Sequence, residues 1–109
     1  MKEYRLEALK RKIKEFPSIE LICRPTPLYP LEKLNQQARG TKILIKRDDL
    51  TGLAFGGNKS RKLEFILADA LKRGADTIIT WGAMQSNWCL QLAAAARKFG
   101  LRPVLLLFK

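Results

Sequence analysis

The sequence predicts an α/β fold in which helices alternate with the strands of a parallel sheet. Three apolar runs have strand composition, at residues 42–46, 77–81 and 103–108, and two segments of helical periodicity separate them, at residues 59–73 and 87–99. Such alternation favours parallel pairing through right-handed crossovers. Because the strands are continuously apolar, the sheet is expected to be covered on both faces.

Ahead of this alternation, residues 3–15 are predicted to form an amphipathic helix that ends before Pro17. Its apolar stripe consists of residues three or four positions apart: Leu6, Leu9, Ile13 and Phe16. A basic amphipathic helix can lie on a membrane surface, but acidic side chains dilute the charge here and the stripe is narrow. We therefore expect the helix to pack against the body of the protein.

The segment from residue 24 to residue 30 contains three prolines and is expected to be an extended connector, since proline disfavours helix interiors and central strands. A short helix is predicted next, near residues 31–38, and Gly40 closes it. Gly74 stops the longer helix at 59–73. The apolar face of that longer helix is predicted to comprise Leu63, Ile66, Leu67, Ala70 and Leu71.

Composition restricts the possible functions. The chain of 109 residues is 47% hydrophobic and 28% charged, which is typical of one globular unit. The first residues lack the apolar core of a secretory signal, so the cytoplasm is the expected location. Histidine does not occur, which excludes a Ser-His-Asp triad and histidine-ligated metal within this sequence. Cys23 and Cys89 have no closely spaced partner, so we predict packing residues rather than a zinc site.

The net charge of +11 is consistent with more than one kind of partner. Residues 24–62 hold nine basic and three acidic side chains, so the excess is concentrated there. Such a charge suits an anionic small molecule as well as a nucleic-acid backbone. Aromatic residues do not alternate with the basic ones, which argues against a platform for stacking single-stranded bases.

Two junctions between a strand and a helix carry candidate functional residues. In the first, Gly56 and Gly57 precede Asn58 and Lys59, so a flexible turn leads a lysine to the start of a helix, where backbone N–H groups favour an anion. Lys62 lies one helical turn further on, on the same face. An anionic carbonyl compound would suit this group.

The second junction runs from Gly82 to Trp88 and contains Ser86 and Asn87. These are common N-cap residue types, so an ordinary capped helix is one interpretation. The other is that their side chains meet a ligand held by Lys59, because the carboxyl ends of parallel strands share one edge of a sheet.

Four motifs, in order along the chain, resemble one known family: Arg24-Pro25-Thr26-Pro27-Leu28, Lys46-Arg47-Asp48-Asp49-Leu50, Gly56-Gly57-Asn58-Lys59-Ser60-Arg61-Lys62-Leu63-Glu64 and Gln85-Ser86-Asn87. Together they resemble the N-terminal third of the fold-type-II, tryptophan synthase β-like pyridoxal-phosphate enzymes. The branch is that of 1-aminocyclopropane-1-carboxylate (ACC) deaminase and D-cysteine desulfhydrase. The resemblance implies pyridoxal 5′-phosphate as cofactor and a partial version of that fold.

The resemblance also implies roles for individual residues. Lys59 matches the catalytic lysine that forms a Schiff base with the cofactor aldehyde and then moves the substrate proton. Asn87 matches the residue that hydrogen-bonds the ring oxygen of the cofactor, and Asn58 and Lys62 match positions near its phosphate.

On the substrate side, Ser86 matches a residue that meets the substrate carboxylate and takes part in catalysis, with Asn87 and Trp88 beside it. The sequence departs from the family pattern at Trp88-Cys89-Leu90, where an arginine is more usual at the third position. Since Leu90 carries no charge, the identity of the substrate stays open.

The basic and acidic residues around the first junction have a simpler interpretation. Arg47, Asp48 and Arg61 are expected to form ion pairs that position the loop before Lys59.

The implied reaction is lytic: a small amino acid yields a 2-oxo acid and ammonia, with sulfide as well when the substrate is a thiol. A homodimer and no nucleic-acid partner are implied. Because the family is longer, residues 1–109 are expected to hold portions of both lobes without the glycine-rich phosphate loop. Whether these residues are active alone stays open. Three alternatives stay open: another fold-type-II reaction, a basic nucleic-acid-binding module, and a truncated non-catalytic paralogue.

Overall fold

The structure, a computed structural model, describes residues 2–109, with side chains from residue 5 onward. Helices and strands alternate along the second half of the chain, as predicted. The elements are, in order, α1 (Lys2–Lys14), β1 (Leu28–Pro30), α2 (Glu32–Gln37), β2 (Leu44–Lys46), a 3-10 turn (Asp48–Leu50), α3 (Lys59–Lys72), β3 (Thr77–Ala83), α4 (Asn87–Lys98) and β4 (Arg102–Phe108).

The predicted helices are confirmed to within a residue or two at their ends. Glycine in the left-handed region follows the two helices of the second half of the chain, Gly74 after α3 at φ 73° and Gly100 after α4 at φ 77°. Gly40, which follows the short helix α2, has φ 91°. Glycine adopts these angles without the steric cost that a Cβ imposes, so the positions of these glycines allow the helix ends to be predicted from the sequence.

The strands form two separate pairs. β3 and β4 run parallel, with Trp81 opposite Leu106 in the register. β1 and β2 run antiparallel, with Tyr29 opposite Ile45. The prediction that residues 42–46 join the parallel sheet is therefore wrong, as is the prediction of a simple connector at residues 24–30. Pro27 extends the antiparallel ladder through its carbonyl, which accepts a hydrogen bond from the backbone N–H of Arg47 at 2.9 Å, so the prolines do not prevent pairing.

The hydrophobic core lies between the helices α3 and α4 and one face of the parallel strands. Leu63 and Leu67 of α3 are fully buried, and Leu92 of α4 is 1% exposed. Burying each leucine stabilises the fold by about 1.5–3 kcal/mol relative to leaving it in water. The remaining buried members of this core are Leu21, Ala95, Ala96 and Leu101. Ile66, predicted on the buried face of α3, is instead 42% exposed, and Ala68 is buried.

The opposite face of the parallel strands is exposed. Because side chains alternate along a strand, Ile79 and Trp81 share this face with Leu106 and Phe108 of β4. Their exposed fractions are 63%, 70%, 59% and 56%. We call these four residues the open sheet face. Within the described residues, only one face of the parallel strands is covered.

The helix α1 also differs from expectation. Its apolar stripe is exposed, with Leu9 at 54% and Phe16 at 64%, so the predicted packing against the body of the protein is wrong. Helical periodicity identified the residues of the stripe, but it contained no information on whether another element packs against them. None of the helices in residues 2–109 is both long enough and apolar enough to span a membrane.

Candidate functional site

Lys59 is the first residue of α3, and its side chain is partly buried. The two preceding glycines have positive backbone angles, φ 76° at Gly56 and 130° at Gly57. A Cβ at Gly56 would lie 1.8 Å from the carbonyl oxygen of Asp49, and one at Gly57 would lie 2.5 Å from Nε2 of Gln91. Both conformation and space therefore require glycine in the turn that delivers Lys59 to the helix.

Hydrogen bonds from a buried threonine hold this turn. The backbone N–H of Gly57 lies 2.7 Å from the carbonyl oxygen of Asp48 and 2.9 Å from Oγ1 of Thr51. The Thr51 hydroxyl in turn lies 3.0 Å from the carbonyl oxygens of both Asp48 and Gly57, and the residue is fully buried. The start of α3 is thus tied to the preceding 3-10 turn.

An ion pair fixes the outer side of the same loop. The guanidinium of Arg61 donates two hydrogen bonds to the carboxylate of Asp48, at 2.7 and 2.8 Å, and a third to Thr26 Oγ1 at 2.9 Å. Hydrogen bonding from Arg61 lowers the pKa of Asp48 below its ordinary 3.8, and the same bond raises the pKa of Arg61. The prediction that these two residues position the loop through an ion pair is confirmed.

Arg47 forms the neighbouring pair. Its guanidinium donates to the carboxylate of Asp49 at 2.6 and 2.8 Å, and to the hydroxyl of Tyr29 at 2.7 Å. The hydrogen bond from Arg47 lowers the pKa of Asp49. The expectation that Arg47 forms an ion pair is also confirmed, although both members reach solvent.

Glu64 is a buried acid that sequence reasoning missed. Its side chain is 1% exposed, and its carboxylate accepts hydrogen bonds from the backbone N–H groups of Leu21 and Ile22 at 3.1 and 3.3 Å and from the guanidinium of Arg24. It joins the proline-rich segment to α3. The available signal was its place next to Leu63 within the apolar stripe, where a charged residue needs a partner.

The start of α4 carries the second predicted group. Ser86 is the N-cap, and its Oγ accepts a hydrogen bond from the backbone N–H of Cys89 at 3.2 Å. Asn87 follows as the first helical residue, with an exposed side chain. A Cβ at Gly82 would lie 2.9 Å from Ser86 Oγ and 2.9 Å from Cys89 Sγ, so glycine lets the strand end approach this cap.

Trp88 lies on the inner side of α4, half-buried against the core. Its indole N–H donates to Oγ1 of Thr80 at 2.9 Å. Leu90, at the position where the family more often has arginine, is 42% exposed. Cys89 is buried, as predicted for a packing residue, but Cys23 is exposed, so the same prediction is wrong for that cysteine.

Gln91 connects the two groups. It lies on α4, one turn beyond Asn87, and hydrogen-bonds Ser60 and the backbone of Gly56 on either side of Lys59. The structure thus places Asn58, Lys59 and Lys62 at the start of α3 and ties that start to the helix that carries Ser86 and Asn87. Sequence reasoning missed Gln91, because a glutamine in an alanine-rich helix resembles a solvent-facing residue.

Comparison with known proteins gives consistent matches. Residues 19–109 match the model of the family described as "Pyridoxal-phosphate dependent enzyme". The chain is 54% identical over 99 residues to a D-cysteine desulfhydrase of Yersinia enterocolitica, covering 91% of this chain and 30% of that protein. It is 57% identical over 97 residues to one from Klebsiella pneumoniae, covering 89% of this chain and 29% of the relative.

A solved structure agrees with these matches. The crystal structure of an ACC deaminase homologue superimposes with a TM-score of 0.82 at 48% identity, covering 87% of this chain and 29% of that one. The predicted α/β class and its relation to fold type II are confirmed. The chain spans about 30% of the length of the curated relatives that it matches. On the family match over residues 19–109, the chain belongs to the family of pyridoxal-phosphate-dependent enzymes.

Proposed function

We propose that this chain forms part of the active site of a pyridoxal-phosphate-dependent lyase of the D-cysteine desulfhydrase or ACC deaminase type. Such an enzyme converts a small amino acid to a 2-oxo acid and ammonia, and releases sulfide when the substrate is a thiol. The observation that carries the proposal is the position of Lys59, at the first residue of α3 behind a turn that only glycine can form. The names of the relatives support the reaction type.

The residues around Lys59 suit the cofactor. Its phosphate is a dianion, and the start of α3 offers free backbone N–H groups together with the ammonium of Lys62. Asn58, at the N-cap position, makes no capping hydrogen bond among the described residues, so its amide is available to the phosphate. Asn87 is exposed at the start of α4 and can donate to the ring oxygen.

Bound pyridoxal phosphate supplies an electron-withdrawing ring that delocalises negative charge developing at the substrate α-carbon. We propose that Lys59 would hold the cofactor through Nζ and that its amine would move the proton at that carbon.

The start of α4 would bind the substrate. Because Ser86 Oγ accepts from the backbone N–H of Cys89, its own proton remains available to donate to the substrate carboxylate or to assist in proton transfer. Asn87 lies beside it. The N–H of Trp88 is used by Thr80, so we propose that this residue contributes ring surface as a wall of the pocket and no hydrogen bond.

For the complete enzyme we propose a homodimer in the cytoplasm, with residues 1–109 contributing to both lobes. The basic surface around the first junction would attract anionic small molecules, and nucleic acid is not proposed as a partner. Membership of the enzyme family supports this choice over a basic binding module.

One mass measurement tests the proposal. The protein is incubated with pyridoxal phosphate, reduced with borohydride, and mapped by peptide mass. We expect a single adduct on Lys59, with Lys72 at the far end of the same helix as internal control. Lys59→Arg should abolish the adduct and Lys62→Arg should weaken it. Adducts spread over many lysines would refute the proposal. If the adduct is confined to Lys59, sulfide release from D-cysteine against ammonia release from ACC separates the two reaction types.

A further inference from the structure

We call residues 56–60, which contain Lys59, the lysine turn. Among the described residues, Gln91 is the one whose buried side-chain amide hydrogen-bonds this turn both before and after Lys59. Its side chain is 2% exposed. Nε2 donates to the carbonyl oxygen of Gly56 at 2.7 Å, three residues before Lys59, and Oε1 accepts from the hydroxyl of Ser60 at 2.7 Å, one residue after it. Lys59 is thus bracketed by two hydrogen bonds from a single side chain on α4.

The chemistry of the partners fixes how this amide is oriented. The Gly56 carbonyl can only accept a hydrogen bond, so the NH₂ group must face it, and the amide oxygen then receives the Ser60 proton. Ser60 is fully buried, and a Cβ on Gly57 would lie 2.5 Å from Nε2, so the amide is closely packed at both of its polar atoms. Both ends of the amide are therefore committed to the lysine turn.

The position of Gln91 on α4 relates these two hydrogen bonds to the second group of site residues. Gln91 follows Asn87 by one helical turn, and helical residues four positions apart share a face. A rigid helix thus connects the residues proposed for the substrate and the ring oxygen with the turn that presents the cofactor lysine.

We propose that Gln91 is a positioning residue that sets the place of Lys59 relative to Ser86 and Asn87. This inference rests on the proposed function and deepens it. Gln91 does not touch the reacting atoms; it acts through Gly56 and Ser60. This role requires both the NH₂ donor and the oxygen acceptor of its side-chain amide.

The first test needs no cofactor. Hydrogen exchange of backbone amides is measured for the wild type, for Gln91→Leu, which keeps the bulk and removes both bonds, and for Leu71→Ala, which weakens the core at the opposite end of α3. We expect Gln91→Leu to accelerate exchange about tenfold in residues 56–62 relative to residues 66–76. Leu71→Ala should not raise that ratio, and Ser60→Ala, which removes one of the two bonds, should raise it less.

The second test uses the pH profile of borohydride trapping at Lys59. In Gln91→Glu, a protonated carboxyl can still donate to Gly56 and accept from Ser60, whereas an ionised one presents two acceptors and faces the Gly56 carbonyl with a charge. Relative to the wild type at each pH, trapping at Lys59 should approach the wild-type level at low pH. It should fall about tenfold as the pH rises through the pKa of the introduced carboxyl, which burial raises. Gln91→Leu should show a deficit that does not change with pH.

The two tests separate the possible failures. Acceleration of exchange throughout α3 in Gln91→Leu, or a deficit in Gln91→Glu that matches that of Gln91→Leu at every pH, would overturn the positioning role. If the wild type does not mark Lys59 at all, the proposed function fails, and the exchange ratio alone then decides whether Gln91 fixes the turn.

Discussion

The substitution Gly56→Ala should destabilise the protein far more than Gly74→Ala, although the two glycines share nearly the same backbone angle, φ 76° and 73°. A non-glycine residue in this region costs about 1–2 kcal/mol. At Gly74 that is the whole cost, because a Cβ would meet no atom within 4 Å. We therefore expect Gly74→Ala to lose about 1 kcal/mol.

At Gly56 a Cβ would overlap the carbonyl oxygen of Asp49 at 1.8 Å, so the backbone of the turn must move. That movement disrupts the hydrogen bond from Gln91 to Gly56 and at least one of those made by the N–H of Gly57, each worth about 1 kcal/mol. The total loss is about 3–4 kcal/mol, a large part of the roughly 5–15 kcal/mol by which domains are stable.

The assay is chemical denaturation followed by far-ultraviolet circular dichroism, with the wild type and both variants under one condition. The difference between the variants isolates the steric contribution, because the backbone strain is common to both. Equal losses of unfolding free energy in the two variants would show that the loop tolerates displacement, and would refute the argument that the turn before Lys59 is rigid.

Three further predictions use the same denaturation assay. Thr51→Val should lose about 1–3 kcal/mol, because it leaves the N–H of Gly57 without one acceptor, whereas Thr51→Ser should retain most of the stability. Asp48→Asn should destabilise at neutral pH. Arg61 lowers the pKa of Asp48 in the folded state. The unfolding free energies of wild type and variant should therefore converge only as the pH falls below 3.8 and through that lowered pKa. A difference in unfolding free energy that does not change with pH would contradict this. Leu67→Ala should cost about 2–5 kcal/mol and Leu9→Ala less than about 0.5 kcal/mol, because the first is fully buried and the second is 54% exposed; similar losses would mean that α1 is covered.

Local patterns were sufficient to predict the helices. The limits of α3 and α4 follow from residues within a few positions of each end, such as the N-cap at Ser86 and the glycines at 74 and 100. Strand pairing was not predictable in the same way. Residues 42–46 have strand composition, but composition does not identify the strand that pairs with them. The observed partner is β1, which contains Pro30.

The residues of the candidate site were also predictable only where the signal was local. The glycine turn, Lys59 and Ser86 were identifiable because each residue type is suited to its own backbone position. Glu64 and Gln91 were not, because their roles depend on partners that lie 40 to 43 positions away for Glu64 and 31 to 35 positions away for Gln91. A polar residue on a helix can be assigned to a buried network only when the opposing element is known.

The open sheet face gives the protein an optical property. Trp81 is 70% exposed there, while Trp88 is half-buried with its N–H bonded to Thr80, so the two indoles occupy environments of different polarity. The emission of Trp81 should resemble that of an indole in water and shift to the blue when anything covers this face. Comparing the emission of Trp81→Phe and Trp88→Phe at increasing concentrations would therefore show, without any label, when the apolar side of the sheet acquires a neighbour.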